Sequence, residues 1–367
     1  MKIGTVKETR AGENRVALSP DVVKALVKQG FQCFVESGAG VASNFSDDAF
    51  KNAGAEVLAN ASDVYNQVDA LVKVNAPEQS EINALKEGTA VISFIYHLSN
   101  PQLVEQLNAK KLTVFSMDAI PRISRAQSMD ALSSQANLAG YKAVLLGAHH
   151  SARIFPMLMT AAGTITPAKV LIFGAGVAGL QAIGTAKRLG AVVEVTDIRP
   201  ETKEQVESLG GKFISFDTGE VKIEGGYVKE TSEDTLKKQR EILSKHIAAA
   251  DVAITTALIP GKKAPVLITE DMVKTMKLGS VIIDMAVEQG GNCELSEPGK
   301  IVVKHGVKIV GELNLPSQLS QNASESYAKN IQAFLTHLAT KDGFKWELEE
   351  EITKGTLIAK GGEILRK

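Results

Sequence analysis

The sequence predicts an α/β protein made of two doubly wound parallel-sheet domains, the second with the pattern of a Rossmann domain. Three observations lead to this fold class. The chain has 367 residues, more than one ordinary hydrophobic core accommodates. Short apolar runs alternate with amphipathic helical stretches over residues 2–120, which is typical of repeated βα units. In the second half, the glycine-rich turn Gly174-Ala-Gly-Val-Ala-Gly179 separates an apolar run from a helical pattern.

Composition restricts the class of protein further. Hydrophobic residues make up 44% of the chain, charged residues 23%, and the net charge is −1, so the protein lacks the basic excess of a nucleic-acid binder. Cys33 and Cys293 are far apart and have no metal-ligand spacing, so we expect no metal, no disulfide and a cytoplasmic location. The most apolar window, residues 170–186, is interrupted by four glycines, so we expect no direct membrane insertion.

The first half contains the strands and helices of one parallel sheet. Ser19 followed by Pro20 and Asp21 marks a helix start, because serine caps the helix and proline suits its first turn. No glycine-rich phosphate turn occurs here, so we expect this domain not to hold the dinucleotide by itself. The predicted strands are 2–6, 31–35, 69–74, 90–94 and 112–115, and the predicted helices lie near 20–29, 46–53, 79–86 and 100–109.

A long helical pattern from Arg125 to about Ala148 is expected to cross from the first domain to the second. Residues 150–167 are expected to form a further helix and a connector. A final helix from Ser324 and the tail 343–367 are expected to return to the first domain. The predicted domains are therefore 1–131 plus 324–367, and 132–323.

The second domain is predicted to have the strands of a complete Rossmann sheet. The segment 217–235 is polar and has little periodicity, so it is expected to be a long mobile surface loop with Tyr227 near its middle. An ordinary ordered excursion is the alternative. The predicted strands are 170–173, 192–197, 213–216, 252–257, 280–284 and 307–311.

The glycine turn predicts a dinucleotide site. Gly174, Gly176 and Gly179 stand where a Cβ would obstruct the turn, the approach of a pyrophosphate, or helix-on-strand packing. Asp197 ends the next strand, about 20 residues further on, where a carboxylate accepts hydrogen bonds from the adenine ribose. Because Asp197 repels a 2′-phosphate, it favours NAD(H) over NADP(H), although Arg199 is placed to receive such a phosphate.

The stretch before the crossing helix is rich in groups that suit a nicotinamide. Gln127 offers a donor and an acceptor that match a carboxamide, and Asp130 is able to hold the Arg122 guanidinium by a bidentate pair. The alternative is a solvated, charged helix N-terminus in which Asp130 favours the helix dipole.

Several motifs resemble those of one family. The segment Arg122-Ile-Ser-Arg-Ala-Gln-Ser-Met-Asp130 with Leu132-Ser-Ser-Gln-Ala-Asn-Leu-Ala-Gly-Tyr141 resembles the nicotinamide-binding loop of the NAD(H)-binding components of proton-translocating nicotinamide nucleotide transhydrogenases. Alanine dehydrogenases share the fold and several motifs but lack the Arg-Gln-Asp loop. The other similar segments are Gly4-Thr-Val-Lys-Glu8, Arg15-Val-Ala-Leu-Ser-Pro20, Thr255-Thr-Ala-Leu-Ile-Pro-Gly261 and Gly290-Gly-Asn-Cys-Glu294.

This resemblance implies direct hydride transfer between NADH bound here and NADP⁺ held by a partner NADP(H)-binding component. It also implies membrane-spanning, proton-translocating partner subunits, a homodimer, and a position peripheral to the inner membrane through those partners. Gln127, Arg122 and Asp130 would be catalytic. The residues expected to contact the nucleotide are Arg122, Ile123, Ser124, Arg125, Gln127, Asp130, Ser133, Gly174, Gly176, Val177, Gly179, Asp197, Ile198, Arg199, Tyr227, Ala257 and Leu258.

An NAD-dependent alanine dehydrogenase is the alternative function, and an NAD sensor that only binds is a third. Arg15 and Lys73 resemble positions that bind substrate carboxylate in alanine dehydrogenases, and His97 resembles their catalytic histidine after a one-residue shift. Glu288 stands where those enzymes carry an aspartate. Ordinary structural roles remain open as well, with Arg15 paired to Glu8 and His97 as a polar residue lining the cleft.

Overall fold

The computed structural model describes residues 1–215, 222–224, 227–230, 233–259 and 261–366. The strands are β1 (Lys2–Thr5), β2 (Gln32–Glu36), β3 (Glu56–Leu58), β4 (Ala70–Asn75), β5 (Ala90–Phe94), β6 (Thr113–Ser116), β7 (Leu158–Thr160), β8 (Gly163–Ile165), β9 (Lys169–Phe173), β10 (Val192–Thr196), β11 (Lys212–Phe213), β12 (Lys222–Glu224), β13 (Tyr227–Glu230), β14 (Val252–Thr255), β15 (Val281–Asp284), β16 (Ile301–Lys304), β17 (Val307–Val310), β18 (Ala339–Thr340), β19 (Gly343–Phe344), β20 (Leu357–Lys360) and β21 (Glu363–Ile364).

The helices are α1 (Pro20–Lys28), α2 (Asp47–Asn52), α3 (Ala61–Tyr65), α4 (Gln79–Ala84), α5 (Pro101–Ala109), α6 (Ala131–His150), α7 (Val177–Arg188), α8 (Lys203–Ser208), α9 (Glu233–Ala249), α10 (Glu270–Thr275), α11 (Ser320–Leu338) and α12 (Glu351–Thr356). Short 3₁₀ turns occur at Val41–Ser43, Met117–Ala119, Ser124–Met129, Pro200–Thr202, Val287–Gln289 and Leu315–Leu319.

The chain divides into two compact units, Met1–Gln135 with Pro316–Lys367, and Ala136–Leu315. The boundaries predicted from the sequence fall at 131/132 and 323/324, a few residues from this division. In both descriptions the first unit is discontinuous and contains the C-terminal helix and tail.

The sheet of the first unit has the order β21-β20-β6-β5-β4-β1-β2-β3. Strands β1 to β6 are parallel to their neighbours and have the order 3-2-1-4-5-6, which places the topological switch point between β1 and β4. The tail adds β20, antiparallel to β6, and β21 at the edge. The sequence predicted the return of the tail but not that it would extend the sheet.

Helices cover both faces of this sheet. Ile3 of β1 and Ile92 of β5 lie in one buried cluster, while their neighbours Leu71 of β4 and Val91 of β5 lie in a second. Alternate residues of a strand point to opposite faces, so each run of apolar residues fills both cores. The side of α11 predicted to be buried, Ile331, Phe334, Leu335 and Leu338, is buried.

The main sheet of the second unit has the order β11-β10-β9-β14-β15-β17-β16. Its parallel strands again follow the order 3-2-1-4-5-6, and β16 pairs antiparallel with β17 at the edge. The predicted class of two doubly wound α/β domains is therefore confirmed. The edge strand β16 was not predicted.

The expected helix within residues 150–167 is wrong. This stretch forms a β-hairpin of β7 and β8, whose strand residues are all exposed. Gly163, at φ +115°, follows the turn, and the β-branched residues Thr160, Thr164 and Ile165 favour extended backbone. The crossing helix also begins later than expected, because residues 124–129 form a 3₁₀ turn before α6.

The segment expected to be a mobile loop lies partly outside the described residues. Residues 216–221, 225–226 and 231–232 are among those not described. Backbone at β12 and β13 forms an antiparallel pair, with Tyr227 as the first residue of β13. The predicted mobility and the role of the Tyr227 side chain lie outside what the structure describes.

Candidate nucleotide-binding site

The turn between β9 and α7 needs glycine at two positions for steric reasons. Gly174 has φ +103°, and a Cβ there would collide with the Thr256 hydroxyl. A Cβ on Gly179 would collide with the carbonyl oxygen of Gly174, which lies directly beneath the helix. Gly176 is different, because the nearest atom to a Cβ there is Nη2 of Arg199 at 4.0 Å. The turn therefore leaves its open side at Gly176, where a pyrophosphate would approach.

The N-terminus of α7 is suited to an anion. Gly176 is its N-cap residue, no side chain caps it, and the first turn carries no acidic residue. The last turn carries Lys187 and Arg188, which complement the opposite end of the helix dipole. Free backbone N–H groups and a positive dipole end are what a helix offers to a phosphate.

Asp197 lies at the carboxyl end of β10, beside the glycine turn. Its Oδ2 accepts a hydrogen bond from the backbone N–H of Ala175 at 2.6 Å. The side chain of Arg199 donates to both carboxylate oxygens at 2.9 Å, and the backbone N–H of Arg199 donates to Oδ1 at 2.8 Å. The carboxylate is therefore held at the turn, with Arg199 covering it. Ile198 between them is half-buried.

The carboxyl end of β14 supplies the third wall. Asn292 is fully buried, and its side chain accepts from the Ala257 N–H at 3.1 Å and donates to the Ala257 carbonyl at 2.9 Å. Thr256 donates to the Phe173 carbonyl at 3.0 Å. Gly174, Gly176, Val177, Gly179, Asp197, Ile198, Arg199, Ala257 and Leu258 thus lie at or directly after the ends of the neighbouring strands β10, β9 and β14.

Asn292 and Thr256 were not among the predicted site residues. The available signal was the polar residue Asn292 directly after Gly290 and Gly291 in an otherwise apolar region, and a threonine at the end of a buried strand. These two side chains fix the backbone that carries Ala257 and the glycine turn.

The Arg-Gln-Asp loop lies in the first unit and presents its polar side chains to solvent. Ala126 and Met129 are buried in the core, whereas Arg122 and Gln127 are exposed. Nδ2 of Asn330 on α11 donates to the Ser128 carbonyl at 2.8 Å. Two apolar anchors and one side-chain hydrogen bond therefore hold the 3₁₀ turn. Ser124 is exposed, and Ile123 is half-buried against the same core.

Asp130 caps the first turn of α6. Its Oδ1 accepts from the backbone N–H of Ser133 at 2.9 Å, and its Oδ2 accepts from the Ser133 hydroxyl at 2.6 Å. This is the capping role that the sequence offered as the alternative for Asp130. The pairing of Asp130 with Arg122 stays a prediction.

Arg15 is buried with its charge balanced internally. Its Nε and Nη2 donate to the two oxygens of Glu13 at 2.7 and 2.6 Å, and its Nη1 donates to Oε1 of Gln135 at 2.9 Å. Although burial raises it, the hydrogen bonds and charge of Arg15 hold the pKa of Glu13 at about 2. The partner that the sequence suggested, Glu8, is therefore wrong for this arginine.

Lys73 is likewise committed to carboxylates. Its Nζ lies 2.6 and 2.8 Å from the two oxygens of Glu81, and 3.9 Å from Glu8. The side chain is only 1% exposed. The hydroxyl of Tyr65 donates to Glu81 as well, at 2.9 Å, so the group forms a buried polar network.

His97 and Glu288 complete the set that resembles alanine dehydrogenases. Burial lowers the pKa of His97, although the charge of Asp118 acts in the opposite direction, so the ring is neutral at neutral pH. Its Nδ1 is buried and has no hydrogen-bond partner in the described part of the chain. Oε1 of Glu288 accepts from the backbone N–H of Asn314 at 2.7 Å.

Neither a metal site nor a membrane-spanning helix occurs among the described residues. No group of three or more His, Cys, Asp or Glu side chains is gathered closely enough there to hold a metal ion. None of the helices in this part of the chain combines the length and apolar character needed to cross a bilayer.

A parallel sheet in the order 3-2-1-4-5-6, with a glycine turn after its first strand and a carboxylate after its second, defines the Rossmann class of dinucleotide-binding proteins. Comparison with known families agrees. The models for the N-terminal and C-terminal domains of "Alanine dehydrogenase/PNT" match residues 4–139 and 143–367. The chain belongs to the alanine dehydrogenase/PNT family.

Individual relatives fall on both sides of that family. An NAD(P) transhydrogenase subunit alpha chain of Rhodospirillum rubrum is 56% identical over 375 residues, covering 100% of this chain and 98% of the relative. An alanine dehydrogenase of Methanococcus maripaludis is 30% identical over 353 residues, covering 94% and 89%. The crystal structure of transhydrogenase from Sinorhizobium meliloti is 43% identical with a TM-score of 0.88, covering 100% of this chain and 99% of that one.

Proposed function

We propose that this chain is the NAD(H)-binding component of a proton-translocating NAD(P) transhydrogenase. It transfers a hydride directly between its own NAD(H) and NADP(H) held by a partner component. The similarity to proteins named as transhydrogenases, at 56% and 43% identity over nearly their whole length, supports this reaction over the alanine dehydrogenase reaction.

In this proposal, the second unit holds the adenosine and pyrophosphate of the nucleotide. The uncapped N-terminus of α7 at Gly176 receives the pyrophosphate, and Asp197 receives the adenine ribose. The residues expected to line the nucleotide beside them are Val177, Ile198, Ala257 and Leu258, with Tyr227 from the segment 217–235. The negative charge of Asp197 favours NAD(H), which lacks the 2′-phosphate of NADP(H).

The Arg-Gln-Asp loop holds the nicotinamide end. Gln127 is exposed on an anchored turn, so its amide is available to pair with a carboxamide. Arg122, Ile123, Ser124 and Ser133 are proposed to contribute the neighbouring contacts, and Asp130 fixes the start of α6 beside them. Bound NAD(H) supplies the hydride, and the residues of the chain orient it and exclude water.

The observation that carries the proposal is the internal neutralisation of the groups that a keto-acid enzyme needs. Reduction of a keto or imino acid requires a cation for the substrate carboxylate and a proton donor. Arg15 and Lys73 are both buried and bound to carboxylates, and His97 is neutral at neutral pH. Hydride exchange between two nicotinamides needs neither group.

We propose that the chain works as a homodimer, with an NADP(H)-binding component and membrane-spanning, proton-translocating subunits as partners. This places it in the cytoplasm, peripheral to the inner membrane. The exposed hairpin of β7 and β8 supports self-association, because Leu158, Met159 and Ile165 and the preceding Met157 form a run of exposed apolar residues.

One feature favours the alternative, an NAD-dependent alanine dehydrogenase. A cavity of about 200 Å³ lies in the first unit at the carboxyl ends of β1, β4 and β5, where the strand order reverses. Its polar lining includes Glu8, Arg10, Asn75 and Tyr96. A carboxylate such as Glu8 disfavours an anionic keto acid in this cavity, so we rank this function second.

One assay separates the two functions. The purified chain is mixed with the NADP(H)-binding component of a transhydrogenase, and reduction of NADP⁺ by NADH is followed. In parallel, the chain alone is given NAD⁺ and L-alanine. We expect hydride transfer in the first mixture and no turnover in the second. Robust turnover of alanine contradicts the proposal, and NADH binding without transfer in the mixture indicates an NAD sensor.

A further inference from the structure

Arg125 lies in the Arg-Gln-Asp loop but is directed at acidic residues of the C-terminal segment. Its Nη1 is 2.6 Å from Oε1 of Glu350, and its Nη2 is 3.4 Å from Oε2 of Glu351. One guanidinium thus spans two adjacent carboxylates at the N-terminus of α12. Arginine suits this task because its planar fork donates in two directions at once.

Glu350 is a fixed anchor for this arginine. Its Oε2 caps α12 by accepting from the Thr353 N–H at 2.8 Å, and lies 2.9 Å from Nε2 of His337 at the end of α11. Although burial raises it, the hydrogen bonds from the Thr353 and Ile352 backbone and from His337 hold the pKa of Glu350 at about 2. The carboxylate therefore remains charged throughout the neutral range.

The loop is held on both sides of Gln127. Two residues before it, Arg125 reaches α12, and one residue after it, the Ser128 carbonyl accepts from Asn330 on α11. Ala126 lies between these two ties and is buried in the core. The backbone that carries the exposed Gln127 side chain is thus fixed at three positions around it.

We infer that Arg125 is a positioning residue that ties the loop to α12 through Glu350 and Glu351 and so sets the orientation of Gln127. The sequence placed Arg125 among the nucleotide contacts, and the observed ion pairs give it a different task. The inference rests on the proposed function, because Gln127 matters only if it orients the nicotinamide. A misplacement of about 1 Å at such a residue lowers a rate by up to about 100-fold.

The test compares both ends of the tie. Arg125→Met keeps the aliphatic stem and removes the charge, while Glu350→Gln with Glu351→Gln removes the acceptor charges. Arg125→Lys keeps the charge without the fork. Glu349→Gln is the matched control, since Glu349 is exposed, adjacent in sequence and paired with Lys354 instead. Each protein is assayed for hydride transfer with the NADP(H)-binding component, for NADH affinity, and for hydrogen exchange of the amides of residues 124–129.

We expect Arg125→Met and the Glu350→Gln, Glu351→Gln protein each to slow hydride transfer about tenfold, with NADH affinity within about twofold of the wild type. The combined variant loses no more than either parent, because both changes break one tie. Arg125→Lys recovers part of the rate, and Glu349→Gln behaves as wild type. Amides 124–129 exchange faster in both tie variants.

Two results overturn the inference. If Arg125→Met weakens NADH binding tenfold or more while the Glu350→Gln, Glu351→Gln protein binds normally, Arg125 contacts the nucleotide. If exchange of amides 124–129 is unchanged in both tie variants, no tie exists. Because exchange is measured without catalysis, a wild type that binds NADH but transfers no hydride refutes the proposed function and leaves this second readout decisive.

Discussion

Arg15 and Glu13 show how a buried carboxylate determines what a cation is able to do. The arginine is 6% exposed and has committed its Nε and both terminal nitrogens to Glu13 and Gln135. An anion from solvent would have to displace a bidentate pair to reach it. Sequence reasoning placed the arginine correctly as a residue of interest, but the distance between Arg15 and Glu13 is a property of the folded chain.

The pair makes a prediction for the pH dependence of stability. The pKa of Glu13 falls from 4.5 to about 2 on folding, so it stabilises the protein above pH 4.5, and this contribution is lost as the pH falls toward 2. In Glu13→Gln, the free energy of unfolding should therefore decline less steeply over that range. Denaturant unfolding at a series of pH values measures both slopes, and equal slopes would refute the assignment.

The same substitution should be costly at pH 7, by about 3 to 5 kcal/mol, since it leaves the charge of Arg15 buried without a counter-charge. Adding Arg15→Met should restore much of the lost stability, because no buried charge then remains. A double variant as unstable as Glu13→Gln alone would show that the ion pair is not the cause.

Gln127 makes a prediction for catalysis. Gln127→Asn shortens the side chain by one methylene while keeping the amide, so the nicotinamide loses its positioning contact. Hydride transfer should fall by orders of magnitude, whereas NADH affinity should change little. Stopped-flow transfer and equilibrium binding of NADH measure the two quantities. A variant that reacts at the wild-type rate would remove Gln127 from the mechanism.

At the scale of elements, the β9–α7 turn was predictable from sequence because each of its parts has a local signature. An apolar run, spaced glycines and a helical period are all visible without the fold. The supports of that turn were not predictable. Asn292 and Thr256 come from distant parts of the chain, and only the pairing of β9 with β14 and β15 beyond it brings them to the site.

Two glycines of α7 provide a matched test of the turn. A Cβ on Gly179 would meet the Gly174 carbonyl, so Gly179→Ala should destabilise the protein by about 1 to 3 kcal/mol and abolish NADH binding. At Gly184 the nearest atom is Nη1 of Arg188 at 3.6 Å, so Gly184→Ala should stabilise by about 0.5 to 1 kcal/mol through helix propensity.

Thermal and denaturant unfolding, with NADH titration, distinguish the two variants. Equal effects of both substitutions on stability would show that helix propensity, and not the close approach at Gly179, determines the outcome.

The β7–β8 hairpin marks where sequence reasoning at the scale of elements failed. Helix and strand patterns are hard to separate in a short polar segment without a buried face, and all six strand residues here are exposed. Register and pairing of such a hairpin depend on its turn, which Gly163 permits through its positive φ.

At the scale of the molecule, the two units share the parallel-strand order 3-2-1-4-5-6, and only the second has the glycine turn. The sequence was sufficient for this architecture because alternating apolar runs and helices restrict the topology strongly. It was insufficient for the antiparallel edges, since β16 and β20 are short and resemble other exposed strands.

The exposed hairpin makes a prediction for assembly. Leu158→Glu with Met159→Glu places two charges in the apolar run, so a dimer that uses this hairpin should dissociate. Leu278→Glu is the control, since Leu278 is a single apolar residue with 85% exposure elsewhere in the same unit. Sedimentation velocity should show dimers for the wild type and the control, and monomers for the double variant. A monomeric wild type would contradict the proposed homodimer.

Direct hydride transfer is the central claim, and isotopic labelling tests it most directly. NADH carrying deuterium at both C4 positions is mixed with this chain, the NADP(H)-binding component and NADP⁺, and the NADPH formed is analysed by mass spectrometry. The account predicts that each NADPH carries one deuterium, because the hydride passes between the nicotinamides without meeting water. NADPH with hydrogen from solvent, or no NADPH although NADH binds, would contradict it.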